Sequence, residues 1–220
     1  MLNKLIYKFL RNNITKTPLF WKYRHLIDPS VWNSYKEDSK NKRRLYYVEI
    51  IETYNLKSVF EFGCASGPNY FLLKKKLNEI FYFGFDISKK AIRSVNTENK
   101  SQKIMFTDDL STSTIDLYLE RNKLIFFDLA IFDRVLYMIS EKKLEIFMKT
   151  YSSYFTFLLI DDFHSEINCW DKEKFIYSKN YIQIMSNYNF KLIDIADSSI
   201  QSSTASEFAK RLLFKKSNSC

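Results

Sequence analysis

The chain has 220 residues, 46% of them hydrophobic and 27% charged, which suits one compact domain, or one domain with a small appendage, with a real core and excludes disorder over most of its length. Aromatic residues reach 17% while glycine and proline number three each, so collagen-like, linker-like and loop-rich repeat architectures are excluded as well. Of the formal charge of +9, +7 falls within residues 1–60, a basic front that suits either an anionic partner or a solvated helical face.

In chain order, residues 1–56 read as a helical, aromatic-rich cap on the remainder of the chain. Leu2, Leu5, Ile6, Phe9 and Leu10 share one side of a short first helix, and residues 2–11 suit either contact with an anionic membrane or packing on the core. Lys4 and Lys8 interrupt this stretch, and no run approaches the roughly 20 apolar residues that a bilayer span requires, so neither a span nor a cleavable signal is expected. Phe20, Trp21, Tyr23, His25, Trp32 and Tyr35 follow. A later helix then carries Leu45, Val48, Ile51 and Tyr54 along one face.

From residue 57 short apolar runs alternate with amphipathic ones, the pattern of a buried, mainly parallel sheet with crossover helices. Strands are predicted at Lys57–Phe62, Ile80–Asp86, Lys103–Thr107, Leu124–Phe132 and Tyr154–Asp161, and helices at Pro68–Leu77, Ser88–Asn96, 109–121, Ser140–Tyr151 and 174–187. Two further strands, Phe190–Ala196 and Glu207–Lys215, are separated by a Ser/Thr-rich stretch without helical pattern and pair most simply as a hairpin. The expected fold is therefore α/β, a three-layer sandwich about a seven-stranded mainly parallel sheet with a C-terminal antiparallel hairpin, spanning residues 57–216. Three widely spaced cysteines, Cys64, Cys169 and Cys220, draw neither a disulfide framework nor a paired-cysteine zinc site, and a reducing cytoplasm is the default compartment.

All three glycines, Gly63, Gly67 and Gly84, fall within 22 positions. Two flank the turn from the first strand into the first helix, where small residues let a ligand approach the main chain and a helix N-terminus. Asp86 follows Gly67 by 19 positions, near the roughly 20-residue offset at which an acid accepts hydrogen bonds from ribose hydroxyls. A nicotinamide fingerprint requires Gly-x-Gly-x-x-Gly, and Pro68 occupies its last position.

Glu61-Phe62-Gly63-Cys64-Ala65-Ser66-Gly67 resembles the first motif of the class I S-adenosylmethionine-dependent methyltransferases, an acid, a spacer and Gly-x-Gly-x-Gly, with Ala65 in place of the middle glycine. The resemblance continues through Asp86, through Phe106-Thr107-Asp108-Asp109, and through Phe127 to Asp133 with Val135-Leu136-Tyr137-Met138-Ile139 following. It implies a Rossmann-like methyltransferase fold with S-adenosyl-L-methionine as cofactor, held by Glu61, Gly63, Ala65, Gly67, Asp86, Ile87, Asp108, Asp109 and Phe132. Many members carry histidine where this chain has Met138.

Methyl transfer from a sulfonium is an in-line displacement that requires positioning and no covalent nucleophile. A hydroxyl acceptor would benefit from a base, and of the two histidines His164 follows the fifth strand, at the carboxyl end of the sheet. His164, Asp133 and Asp161 are the candidate catalytic residues. With Asp162 they could also gather a hard metal ion, but the spacing is not diagnostic and no metal is assigned. Arg43 and Arg44 could reach the cofactor carboxylate or an acidic substrate, or be surface charge. The expected acceptor is a small molecule or a sugar unit of a glycan precursor, with a cytoplasmic location that extends, through residues 2–11, to the inner face of a membrane. The rivals are an RNA methyltransferase using the basic front, and a non-catalytic binding protein of the same fold, to which Ala65 and Met138 point.

Overall fold

The computed structural model describes residues 44–77, 79–96, 101–171, 176–198 and 209–217. The expectations on the Leu2–Leu10 helix, on His25 and the aromatic stretch 20–35, and on Arg43 lie outside the described residues. Helix α1 (Leu45–Thr53) leads into β1 (Ser58–Phe62), α2 (Pro68–Lys76), β2 (Phe81–Phe85), α3 (Lys89–Asn96), β3 (Ile104–Thr107), α4 (Thr112–Arg121) and β4 (Phe127–Asp133). A short 3-10 turn (Leu136–Met138) precedes α5 (Glu141–Tyr151) and β5 (Phe155–Phe163). A small two-stranded ribbon, β6 (Cys169–Asp171) and β7 (Ile176–Ser178), precedes α6 (Tyr181–Ser186), β8 (Phe190–Asp197) and β9 (Ala209–Lys216).

The main sheet has the order β3-β2-β1-β4-β5-β9-β8. Strands β1 to β5 pair in parallel. Strand β9 runs antiparallel to both β5 and β8, so the terminal hairpin inserts its second strand against the sheet and leaves its first at the edge. This is the expected architecture. Segment 174–187 departs from expectation, since Ile176–Ser178 pairs with β6 and the helix begins only at Tyr181. Asn180 then caps it, its side chain accepting from the Gln183 amide at 3.0 Å, which fixes the start. Strand β4 also begins later than predicted, because Ile125 is 87% exposed and pairing with β5 starts at Phe127.

Alternation along the strands builds two cores. On one face Val59, Tyr82, Leu129, Ile131, Phe157 and Leu159 meet α1, α2 and α3. On the other, Phe60, Phe83, Ala130, Phe132, Leu158 and Ile160 meet α4, α5 and α6. Phe60 lies 5.6 Å from Phe83, 5.6 Å from Phe127 and 5.0 Å from Phe155, ring to ring, so aromatic residues form a continuous layer across four strands. The buried stripe of α1 is Tyr47, Val48, Ile50 and Ile51, turned from the expected one; Leu45 and Tyr54 are 37% and 40% exposed. A polar contact explains the rotation, for the Tyr47 hydroxyl donates to buried Asp161 at 3.1 Å.

Candidate functional site

The site begins with the loop from β1 to α2. Its backbone is left-handed at Gly63 (φ +79°), Ala65 (φ +48°) and Gly67 (φ +78°), a conformation that an L-residue adopts at a cost and glycine adopts freely. Space is limiting as well, since a Cβ on Gly63 would lie 2.7 Å from Val135 Cγ2. The Gly63 and Cys64 amides both donate to the Phe85 carbonyl, at 2.8 and 2.9 Å, tying the loop to the end of β2. Gly67 caps α2, with Pro68 in the first turn, where a missing N–H costs nothing.

Asp86 stands just beyond β2 and is held from two sides. Its Oδ2 accepts from the Ala65 amide at 2.9 Å and its Oδ1 from the Ser88 amide at 2.8 Å. Burial pushes its pKa up while those two amides pull it down. A carboxylate offers about four acceptor positions, so further hydroxyl donors can still be accommodated. Ile87 beside it is 39% exposed. The next tip is adjacent, because the Asp86 amide donates to the Thr107 carbonyl at 3.1 Å.

At that tip the two neighbouring acids separate. Asp109 accepts from the Ser111 amide and hydroxyl at 3.0 Å each and from the Thr114 hydroxyl at 2.6 Å. These bonds, with Thr114 first, hold its pKa below the usual carboxylate range and serve the start of α4. Asp108 is exposed and meets Lys89 Nζ at 3.4 Å. Phe132 is fully buried, with its ring against Phe62 and Phe147, so only its main chain can meet a ligand.

Beneath the loop lies a buried polar network that the sequence does not announce. Glu61 accepts from Asn69 Nδ2 at 2.8 Å and from the Tyr82 hydroxyl. Asn69 also donates to Asp133 Oδ2 at 3.1 Å, and Arg44 bonds both Asn69 Oδ1 and Asp133 Oδ2. Arg44 is only 3% exposed, which disposes of the surface-charge reading. Burial raises the Glu61 pKa to about 7, with the Tyr82 hydrogen bond opposing and the Asp133 charge adding to the rise. The network joins α1, β1, β2, α2 and β4, and brings Glu61 and Asp133 together on one face of the sheet.

Asp161 and Asp162, consecutive on β5, are both fully buried and do different things. Asp161 accepts from Arg134 Nε at 2.9 Å, from the Ser198 hydroxyl at 2.7 Å and from Tyr47, an arrangement that ties three segments together. Asp162 Oδ2 accepts from the Leu136 and Tyr137 amides at 2.7 and 3.2 Å. Burial lifts its pKa to about 6 against the pull of the Phe163 amide and of Arg134 and Lys179. His164 Nδ1 faces the Lys179 carbonyl at 3.2 Å, so it carries the proton and leaves Nε2 as an acceptor; burial lowers the pKa of the ring. Asp133, Asp161, Asp162 and His164 do not converge, and among the described residues no three metal-ligating side chains form a cluster.

Sequence reasoning missed Asn69, Tyr82 and Lys179. A polar side chain at the buried start of α2, and a tyrosine on the same face of β2 as Glu61 is of β1, were the available signals for the first two. Lys179 offered none.

No family model matches the chain, and no curated protein matches it. Solved structures do match. A magnesium protoporphyrin IX methyltransferase from Synechocystis PCC 6803, with bound S-adenosylmethionine, is 14% identical over 98% of this chain and 97% of its own, with a TM-score of 0.58. The methyltransferase domain of a bacterial Hen1 protein is 13% identical over 81% of this chain and 98% of its own, at 0.57. The plantazolicin methyltransferase BpumL, in complex with a monoazolic desmethylPZN analogue and S-adenosylhomocysteine, is 13% identical over 98% of this chain and 99% of its own, at 0.55. The chain therefore has the Rossmann-like fold of the class I S-adenosylmethionine-dependent methyltransferases.

Proposed function

We propose that this protein is a methyltransferase that uses S-adenosyl-L-methionine and acts on a small molecule or on a sugar unit of a glycan precursor. The observation that carries the reading is the β1–α2 loop, left-handed at Gly63, Ala65 and Gly67 and bonded through Ala65 to the Asp86 carboxylate. Strain at a non-glycine residue persists only where its surroundings enforce it, and here it brings main-chain amides beside an acid with acceptor capacity to spare. Solved neighbours with bound S-adenosylmethionine or S-adenosylhomocysteine support the same cofactor.

When bound, that cofactor supplies a methyl group on a positively charged sulfur, open to in-line attack. The chain's own residues then have mainly to bind, orient and exclude water. Asp86 takes the ribose hydroxyls, and Asp108, exposed at the β3 tip, takes the adenine amine. Asp109, whose oxygens serve α4, contributes its main chain. Asp133, held by Arg44 and Asn69 on the Glu61 side of the sheet, would serve the amino-acid end of the cofactor. His164 is the base for a hydroxyl acceptor, since its Nε2 is the free acceptor of a ring that burial keeps neutral. Asp161, saturated by Arg134, Ser198 and Tyr47, orders the scaffold.

Titration calorimetry with S-adenosylmethionine tests the cofactor site, with binding expected in the wild-type chain and lost in Asp86→Ala. No detectable heat at millimolar ligand would sink the enzyme reading. Transfer of labelled methyl into separate metabolite, glycan and RNA pools identifies the acceptor, and label in RNA alone would overturn the small-molecule assignment.

A further inference from the structure

Beyond β4 the chain makes a tight turn that borders the glycine loop. Arg134 is left-handed (φ +55°), Val135 stands where any Cβ on Gly63 would collide with it, and residues Leu136–Met138 form a single 3-10 turn. So short a helix has weak internal bonding. This one is gripped from outside. The Leu136 amide donates to Asp162 Oδ2 at 2.7 Å, and the Tyr137 amide donates to the same oxygen at 3.2 Å. The Leu136 carbonyl accepts from Lys179 Nζ at 2.7 Å.

Lys179 is an unusual residue to find there. It is 1% exposed, and no carboxylate of the described residues comes within ion-pair distance of its ammonium. Its other polar partner is the Tyr177 carbonyl at 3.3 Å, and the Tyr177 and Tyr181 rings lie 5.3 and 5.9 Å from Nζ. Removing a charge from water without close pairing is unfavourable, and a methionine of similar length would fill the space without that cost. The lysine is anchored to the end of β5, as the Lys179 amide donates to the Phe163 carbonyl at 3.3 Å and its carbonyl accepts from Ser165 at 3.1 Å. One peptide unit is thus held by an acid from β5 and a base from the segment between β7 and α6.

We propose that Asp162 and Lys179 are positioning residues for the cofactor site, which they set by clamping the Leu136 peptide and, through Val135, the glycine loop at Gly63. This inference rests on the methyltransferase reading. Neither side chain needs to touch the ligand. The clamp makes the turn a rigid wall of the site, and without it the turn opens to solvent and the loop loses its backing.

The test uses the full chain with Lys179→Met, Asp162→Asn and the double variant, and with Tyr118→Phe as a control, which removes a hydroxyl bonded to the Lys103 carbonyl at 2.6 Å, beside the β3 edge of the sheet and away from β5. Three quantities are read: hydrogen exchange at the Leu136 and Tyr137 amides, affinity for S-adenosylhomocysteine by calorimetry, and the thermal midpoint. Each single clamp variant should speed exchange at those two amides about tenfold and weaken S-adenosylhomocysteine severalfold. The double variant should be no worse than the worse single one, because one device is being removed. The control should lower the midpoint with affinity unchanged. Unchanged exchange and affinity in a folded Lys179→Met protein would overturn the proposal; if that variant does not fold, the same result in Asp162→Asn would do so. If the wild-type chain binds no S-adenosylhomocysteine, the methyltransferase reading fails, while the amide exchange still decides whether the clamp exists.

Discussion

Glu61 offers a measurement that reads the buried network directly. Its carboxyl is 1% exposed, and burial raises its pKa from 4.5 to about 7 in the folded chain. A carboxyl with a raised folded pKa binds more protons in the folded state than in the unfolded one across that interval, so the stability it contributes is fully present below pH 4.5 and is lost as pH rises through about 7. At about 1.4 kcal/mol per pH unit the loss amounts to about 3 kcal/mol. Glu61→Gln keeps the shape and removes the ionisation. The glutamine carbonyl can accept from Asn69, and its NH2 can donate to the Tyr82 oxygen in place of the bond that Glu61 receives there. Urea unfolding of both proteins from about pH 4 to about pH 8 isolates the residue, because Asp162 and Asp86, whose pKa values are also raised, contribute equally to both and cancel in the difference. The stability of Glu61→Gln relative to wild type should climb by about 3 kcal/mol between the ends of that range. A difference that stays flat to within about 1 kcal/mol would mean that Arg44, Asn69 and Tyr82 hold an ionised carboxylate at no net cost, and the reasoning from burial would be wrong.

Other substitutions probe the loop and the strand ends. Ala65→Gly relieves a left-handed alanine and should raise stability by roughly 1 kcal/mol, measured by urea unfolding, the gain being limited by the greater entropy of glycine in the unfolded chain. Gly84→Ala would set a methyl 2.8 Å from Phe106 Cδ1 and 2.9 Å from Cys64 Sγ, and should lower stability by about 1–3 kcal/mol; a neutral result would show that the Phe106 ring moves freely. Asp161→Ala strands Arg134, Ser198 and Tyr47 and should cost about 3–5 kcal/mol, while S-adenosylhomocysteine affinity in the variant that remains folded should stay near wild type. A loss of affinity with stability intact would return Asp161 to the ligand.

Much of this protein is legible in its sequence because its signals are local. Runs dominated by apolar residues and bounded by turn signals, such as Val59–Phe62 and Phe127–Phe132, read as strands buried on both faces, and Gly63 and Gly67 mark where the backbone turns left-handed. The Ser/Thr-rich gap before residue 209 likewise announces a hairpin where a crossover helix would otherwise stand. What each acid does was not legible, because it is decided by neighbours far away in the chain. Asp108 and Asp109 differ in role because Ser111 and Thr114 reach only the second. Asp161 and Asp162 project to opposite faces of β5, one toward α1 and the other toward the turn after β4. Arg44, read as either a ligand contact or surface charge, closes onto Asp133, 89 residues on, and a lysine without any motif, Lys179, is buried against Leu136. Periodicity fixes which residues must leave water, since that depends on the side chain and its immediate spacing. Only the packed sheet decides which hydrogen-bond partners meet a buried polar group once it is there, because those partners come from strands and helices that the sequence keeps apart.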